Sequence, residues 1–127
     1  MRPPLLMFEE KPEWDDLEVR VVVEVDGAEV EGRARGRVTD DSRIGIVAKA
    51  ALEAARAVYG GNIGDYIGTT TGEVGGRHFV VSVIGDSSTG DPLVGSAPLR
   101  HFEDPAQAVI RSVFDAVNRR GAEPGTH

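Results

Sequence analysis

The sequence predicts an α+β domain of two strand-strand-strand-helix repeats with pseudo-twofold symmetry, an antiparallel sheet carrying both helices on one face. Internal repetition is the first observation behind this. Val21-Val22-Val23-Glu24-Val25 recurs as Phe79-Val80-Val81-Ser82-Val83, Gly32-Arg33-Ala34 as Gly95-Ser96-Ala97, and Val47 to Ala54 as Val109 to Ala116, with apolar matching apolar and charge matching like charge. Second, Asp26-Gly27 lies between two runs of alternating apolar residues, the strongest short signal for a two-residue type I′ hairpin. Third, two amphipathic stripes superpose at a constant offset from Val47 to Val109, so both helices present equivalent faces.

The elements follow in order. Leu5 to Phe8, between Pro3-Pro4 and Lys11-Pro12, reads either as a short edge strand or as part of an N-terminal arm (1–16) that packs on another subunit. Val19, Val21, Val23 and Val25 fall on one face of the next segment, and Ala28, Val30, Gly32 and Ala34 on one face of its hairpin partner. The two-residue turn fixes the register. Val25 then faces Ala28, Val23 faces Val30, Val21 faces Gly32 and Val19 faces Ala34 toward the helices. Outside, Glu24 faces Glu29, Val22 faces Glu31, Arg20 faces Arg33 and Glu18 faces Arg35. Asp40-Asp41-Ser42 supplies candidate N-caps for a helix with a stripe from Ile44 to Tyr59, which Gly60-Gly61 stops. A strand over 66–74, a Gly75-Gly76 turn, a strand over 77–84, a polar loop and a strand over 93–100 lead to Asp104-Pro105-Ala106-Gln107. That segment reads as an N-cap, a proline at the first helical position and a capping-box glutamine. The domain spans 17–120, in halves 17–60 and 66–120, and 121–127 reads as a tail.

At 127 residues the chain can bury roughly two thirds of its unfolded surface and needs no metal or disulfide staple. It has no cysteine, and with no apolar run near the roughly 20 residues a bilayer requires, a cytoplasmic, non-membrane protein is expected. A net charge of -7 opposes nucleic acid, which would repel it. A half-repeat also resembles the later part of a double-stranded-RNA-binding domain, but Asp104-Pro105-Ala106-Gln107 is acidic where that family carries lysines.

No catalytic constellation is apparent. His78, His101 and His127 are scattered, so no metal set is read. The segment 60–68 lacks the lysine and following helix of a P-loop, and Asp86 to Asp91 lacks the spacing of a calcium loop, so no cofactor is expected. Arg33, Arg35 and Arg37 leave the sheet on one face near Arg20. They form either a site for a small anion or acidic partner, or a solvated face neutralised by Asp16, Glu18 and Glu31. The repeat also places Ile67, Val80, Ile84 and Val94, joined by Val22, opposite the helix side. Apolar residues there, where alternation calls for polar ones, mark an interface and favour a homodimer.

The stretches Val23 to Gly36, and Leu93 to Ala97 running on to Asp115-Ala116-Val117-Asn118-Arg119, resemble the C-terminal allosteric and dimerisation domain of 2-isopropylmalate synthases over roughly residues 17 to 120. That resemblance implies a regulatory module that dimerises and binds an amino-acid effector between subunits. The chain departs from the family in carrying Arg37-Val38-Thr39-Asp40 where a Gly-Pro-x-Asp-Ala helix start is usual, and these 127 residues hold no counterpart of the catalytic barrel. The expected function is therefore a non-enzymatic regulatory or small-ligand-binding module acting as a homodimer. The alternatives are an assembly subunit with no ligand and an enzyme whose site is built across a dimer from acids such as Asp40 and Glu103.

Overall fold

The Asp26-Gly27 turn adopts the left-handed conformation at both residues, φ 51° and 81°, and Gly75-Gly76 does the same at 59° and 79°. These turns build the two halves seen in a computed structural model, which describes residues 4–38, 43–60, 63–86, 91–101 and 103–121. The element order is β1 (Leu5–Glu13), β2 (Asp16–Val25), β3 (Ala28–Arg37), α1 (Arg43–Tyr59), β4 (Ile63–Val74), β5 (Arg77–Asp86), β6 (Pro92–Pro98) and α2 (Pro105–Gly121). The expected single sheet is two sheets, β1-β2-β3 and β4-β5-β6, each antiparallel and each followed by its helix. Leu5–Glu13 is an edge strand on β2, which is why Pro12 is tolerated in it. The N-caps expected at Asp40-Asp41-Ser42, most of the 86–91 loop and the tail beyond Gly121 lie outside the described residues.

Every pair expected across β2 and β3 is present, from Val25–Ala28 to Glu18–Arg35. Val19, Val21 and Val23 are fully buried against α1, together with Val47, Ala51 and Ala54. Helix α1 packs on β2 and β3 and also meets β4, α2 packs on β5 and β6, and the helices pack on each other. One continuous core results. What sets the helix-to-sheet distance is a pair of glycines. A Cβ added at Gly32 would lie 2.3 Å from the Ala50 carbonyl oxygen and 2.2 Å from the Ala54 nitrogen; at Gly95 it would lie 2.1 Å from the Ser112 oxygen and 2.2 Å from the Ala116 nitrogen. Ala50 and Ala54 correspond to Ser112 and Ala116 in the repeat, so the same backbone contact is made twice.

The N-terminal ends of the two helices are tied by one side chain. Arg43, the first residue of α1, donates to Glu10 on β1 (2.6 Å) and to Asp104 before α2 (2.8 and 3.1 Å), with its guanidinium 6.0 Å from the Phe8 ring centroid. Asp104 also accepts the Ala106 N–H, serving as the expected cap of α2. Two helix N-termini and an arginine would be an uncompensated positive cluster without those carboxylates.

Gly32→Ala and Gly95→Ala should each destabilise the fold by about 1–3 kcal/mol or more, since backbone on both sides must move. Urea midpoints check this, and an unchanged midpoint at either position would show that the helix does not sit where described. The Asp104 carboxyl is held below its ordinary value, chiefly by hydrogen bonding to Arg43. A lowered folded pKa contributes stability that is complete above the unfolded value, near pH 4, and is lost as pH falls through the folded one. Arg43→Gln should therefore lower the denaturation midpoint at about pH 7 and narrow its difference from the parent at about pH 3.

Candidate functional site

The arginine row is real as geometry. Arg20, Arg33 and Arg35 sit at the expected register positions on the outer face of the first sheet, with Arg37 ending the same strand. Carboxylates reach the first three. Arg33 pairs with Glu31, Arg20 lies 3.5 Å from Glu31 and 3.8 Å from Glu9, and Arg35 donates to Asp16 at 3.1 Å. The Glu31 carboxyl is accordingly lowered, chiefly by the hydrogen bond from Arg33. The like-charge Arg20–Arg33 pair is thus offset inside the chain by Glu31 and Glu9, two acids on flanking strands.

The apolar outer face exists on the second sheet, with different members from those expected. Val80 and Ile84 are buried at 1% and 0% exposure, pointing at α2, so they belong to the core. The physical reason is a register slip of odd length. Matching Val21 with Phe79 aligns the strands by text, whereas pairing matches Val21 opposite Gly32 with Ser82 opposite Gly95, and an odd shift exchanges the faces of a strand. The true equivalents of Val19, Val21 and Val23 are Val80, Ser82 and Ile84. The face opposite the helices is formed by Phe79, Val81 and Val83 on β5, Gly68 and Thr70 on β4, and Val94 and Ser96 on β6, with Ile67 set on it by a bulge. Ile67 and Val94 keep 63% and 48% exposure, and Val74 at the hairpin end 73%. Val22 does lie opposite the helices on the first sheet, but at 1% exposure it is already covered within the chain and offers no contact.

A chain of hydroxyls crosses the second half. Tyr66 donates to Thr69 (2.8 Å), Thr69 and Ser82 are 2.9 Å apart, Ser82 and Ser112 2.7 Å, and Ser112 donates to the Val109 carbonyl (2.7 Å). With the two ends fixed, the Tyr66 hydroxyl donates, and those of Thr69, Ser82 and Ser112 each accept once and donate once. Ser82 and Ser112 are fully buried, and the bonds of this chain satisfy their hydroxyls while tying β4, β5 and α2 together. The first half has Val21 and Ala50 at these places. Ser112→Ala alone, which strands the Ser82 hydroxyl, should cost about 1–3 kcal/mol, and Ser82→Val with Ser112→Ala, restoring the first half's pair, should cost less than the single change. A double variant worse than the single by thermal denaturation would show that the hydroxyls act through something other than mutual satisfaction.

Two histidines that are 23 residues apart in sequence, His78 and His101, line the same cleft. The Leu99 N–H donates to the His78 carbonyl (2.9 Å), prolonging the β5–β6 ladder beyond Phe79–Pro98, and a cleft of about 630 Å³ at that end of the sheet is lined by Arg77, His78, Arg100, His101 and Glu103. Nothing in the linear spacing signals this; only the pairing of β5 with β6 does. Glu103 is held by Arg111 in a two-point fork (2.7 and 2.9 Å), and Arg111 also donates to the Pro98 carbonyl (3.0 Å). That fork lowers the Glu103 carboxyl, so the residue is a structural anion. Asp40, its expected companion in a cross-dimer site, lies outside the described residues. Among the described residues no group of three or more potential metal ligands is present, and no helix is long and apolar enough to cross a membrane. Neither a protein-family model nor a curated protein sequence matches the chain.

Proposed function

We propose that this domain is a non-enzymatic regulatory or ligand-binding module that works as a homodimer, the outer face of its second sheet stacking on the same face of a second copy. The observation that carries this is the contrast between two equivalent surfaces. The first sheet's outer face presents Glu9, Glu18, Arg20, Glu31, Arg33 and Arg35, the expected dress of a solvated sheet. On the second sheet the corresponding face from Gly68 to Ser96 presents phenylalanine, valine, isoleucine, threonine, glycine and serine, with no charged side chain until Arg77 at the hairpin end. In a chain of net charge -7, this is the surface on which two copies meet without bringing charge into a desolvated contact. The regulatory role is what the resemblance to the 2-isopropylmalate synthase domain implies.

Analytical ultracentrifugation of the parent should give a dimer, and Val83→Glu should give a folded monomer by placing an unpaired charge in the contact. Val80→Glu serves as the contrast, since it buries a charge in the core and should unfold the chain. A monomeric parent, or a Val83→Glu variant that remains dimeric, would overturn the reading.

A further inference from the structure

We propose that the cleft at the open end of the second sheet, walled by Arg77, His78, Arg100 and His101, binds a small phosphate-type dianion. The proposal rests on the reading of the domain as a ligand-responsive module and names the chemistry of that ligand. Continuing the β5–β6 register one step past the Leu99–His78 bond sets Arg77 opposite Arg100. Directly opposed like charges are unfavourable unless something offsets them. On the first sheet the Arg20–Arg33 pair has Glu31 and Glu9. Here, among the described residues, no carboxylate forms an ion pair with either guanidinium, although Arg20, Arg33, Arg35, Arg43, Arg56 and Arg111 all have one. In a chain with 21 acids and 14 bases the nearest compensation for this pair is the Glu103 carboxylate, which feels the Arg100 charge but forms its fork with Arg111.

The acids that face this cleft are otherwise engaged or remote. Glu103 is gripped by Arg111, Asp104 by Arg43, and Glu73 stands 4.0 Å from His78 with both side chains largely exposed. Arg111 bridges Glu103 and the Pro98 carbonyl, which lie on either side of Arg100 and His101 in the chain. Pro105 at the start of α2 adjoins them and adds the positive end of a helix. Planar guanidinium forks match the oxygens of a phosphoryl group two at a time, so two of them side by side suit a doubly charged tetrahedral anion better than a single carboxylate. A polyanion such as nucleic acid would feel the net -7 of the whole chain; a small anion feels the local cluster.

The test is calorimetric titration with inorganic phosphate and, separately, pyrophosphate at constant ionic strength, with the imidazole resonances of His78 and His101 followed by NMR. The parent should bind saturably and shift both resonances. Arg77→Ala/Arg100→Ala should weaken binding by about tenfold or more while keeping the parent's melting temperature in chloride. Arg33→Ala/Arg35→Ala should bind as the parent does. Absence of saturable binding, equal binding by Arg77→Ala/Arg100→Ala, or loss confined to Arg33→Ala/Arg35→Ala would overturn the proposal. Sedimentation of the same samples reports on the dimer separately, so a dimer that ignores phosphate removes only the anion site.

Discussion

The close approach of each helix to its sheet is the constraint on which the rest depends. At Gly32 and again at Gly95, the backbone of a helix lies where a side chain would otherwise begin, with Ala50 and Ala54 in one half and Ser112 and Ala116 in the other closing the contact. A sheet and helix that meet backbone to backbone leave no room for a side-chain layer between them, and large residues must lie on either side of the contact. That is where Val19, Val23, Val47 and Leu52 are found in the first half, and Val80, Ile84, Val109 and Val113 in the second. Close packing of this kind tolerates little change in volume, and the residues at the contact, Gly32, Ala50 and Ala54 in one half and Gly95, Ser112 and Ala116 in the other, are all small.

How far the architecture was legible depended on the length of the turn. Asp26-Gly27 permits one register, and the whole β2–β3 pairing followed from it, including the unfavourable Arg20–Arg33 and Glu24–Glu29 pairs. Between β5 and β6 the loop is longer and imposes no register, and β5 is apolar on both faces, Phe79, Val81 and Val83 against Val80 and Ile84. Alternation cannot then say which face is buried. The informative residue was Ser82, which looks like an outward-facing position and is instead buried by its bond to Ser112 on α2. Division into two sheets was hidden for a related reason: the 61–65 segment says that β4 begins a new unit, while nothing local says that β3 and β4 do not pair.

The candidate sites differ in legibility for the same physical reasons. The arginine row could be read because residues two apart on one strand share a face, yet its neutralisation required β1, whose acids Glu9 and Glu10 fall on opposite faces and serve different arginines, Arg20 and Arg43. The Arg77–Arg100 pairing could not be read, because it depends on a register that only the folded β5–β6 ladder supplies. Glu103 illustrates the reverse. As an isolated acid near a helix start it suggests chemistry, and in place its carboxylate is taken up by a two-point fork with Arg111.

The repeat constrains one face of each sheet and leaves the other free, so one outer face can be charged while its counterpart is not. Each repeat must keep the helix-facing residues and the glycine contact, since those hold its own half of the core. The face turned away from the helices bears no such burden, and the halves differ there, with an ion-paired lattice of glutamate and arginine on the first sheet and valine, threonine and glycine on the second. Trp14 belongs to the same freedom. It stands 98% exposed at the β1–β2 turn in a left-handed conformation, φ 57°, that disfavours a bulky side chain, and among the described residues no packing compensates. Glycine or asparagine would fit that turn with less strain, so Trp14, like the uncharged sheet face, is a feature that the fold of a single chain does not account for.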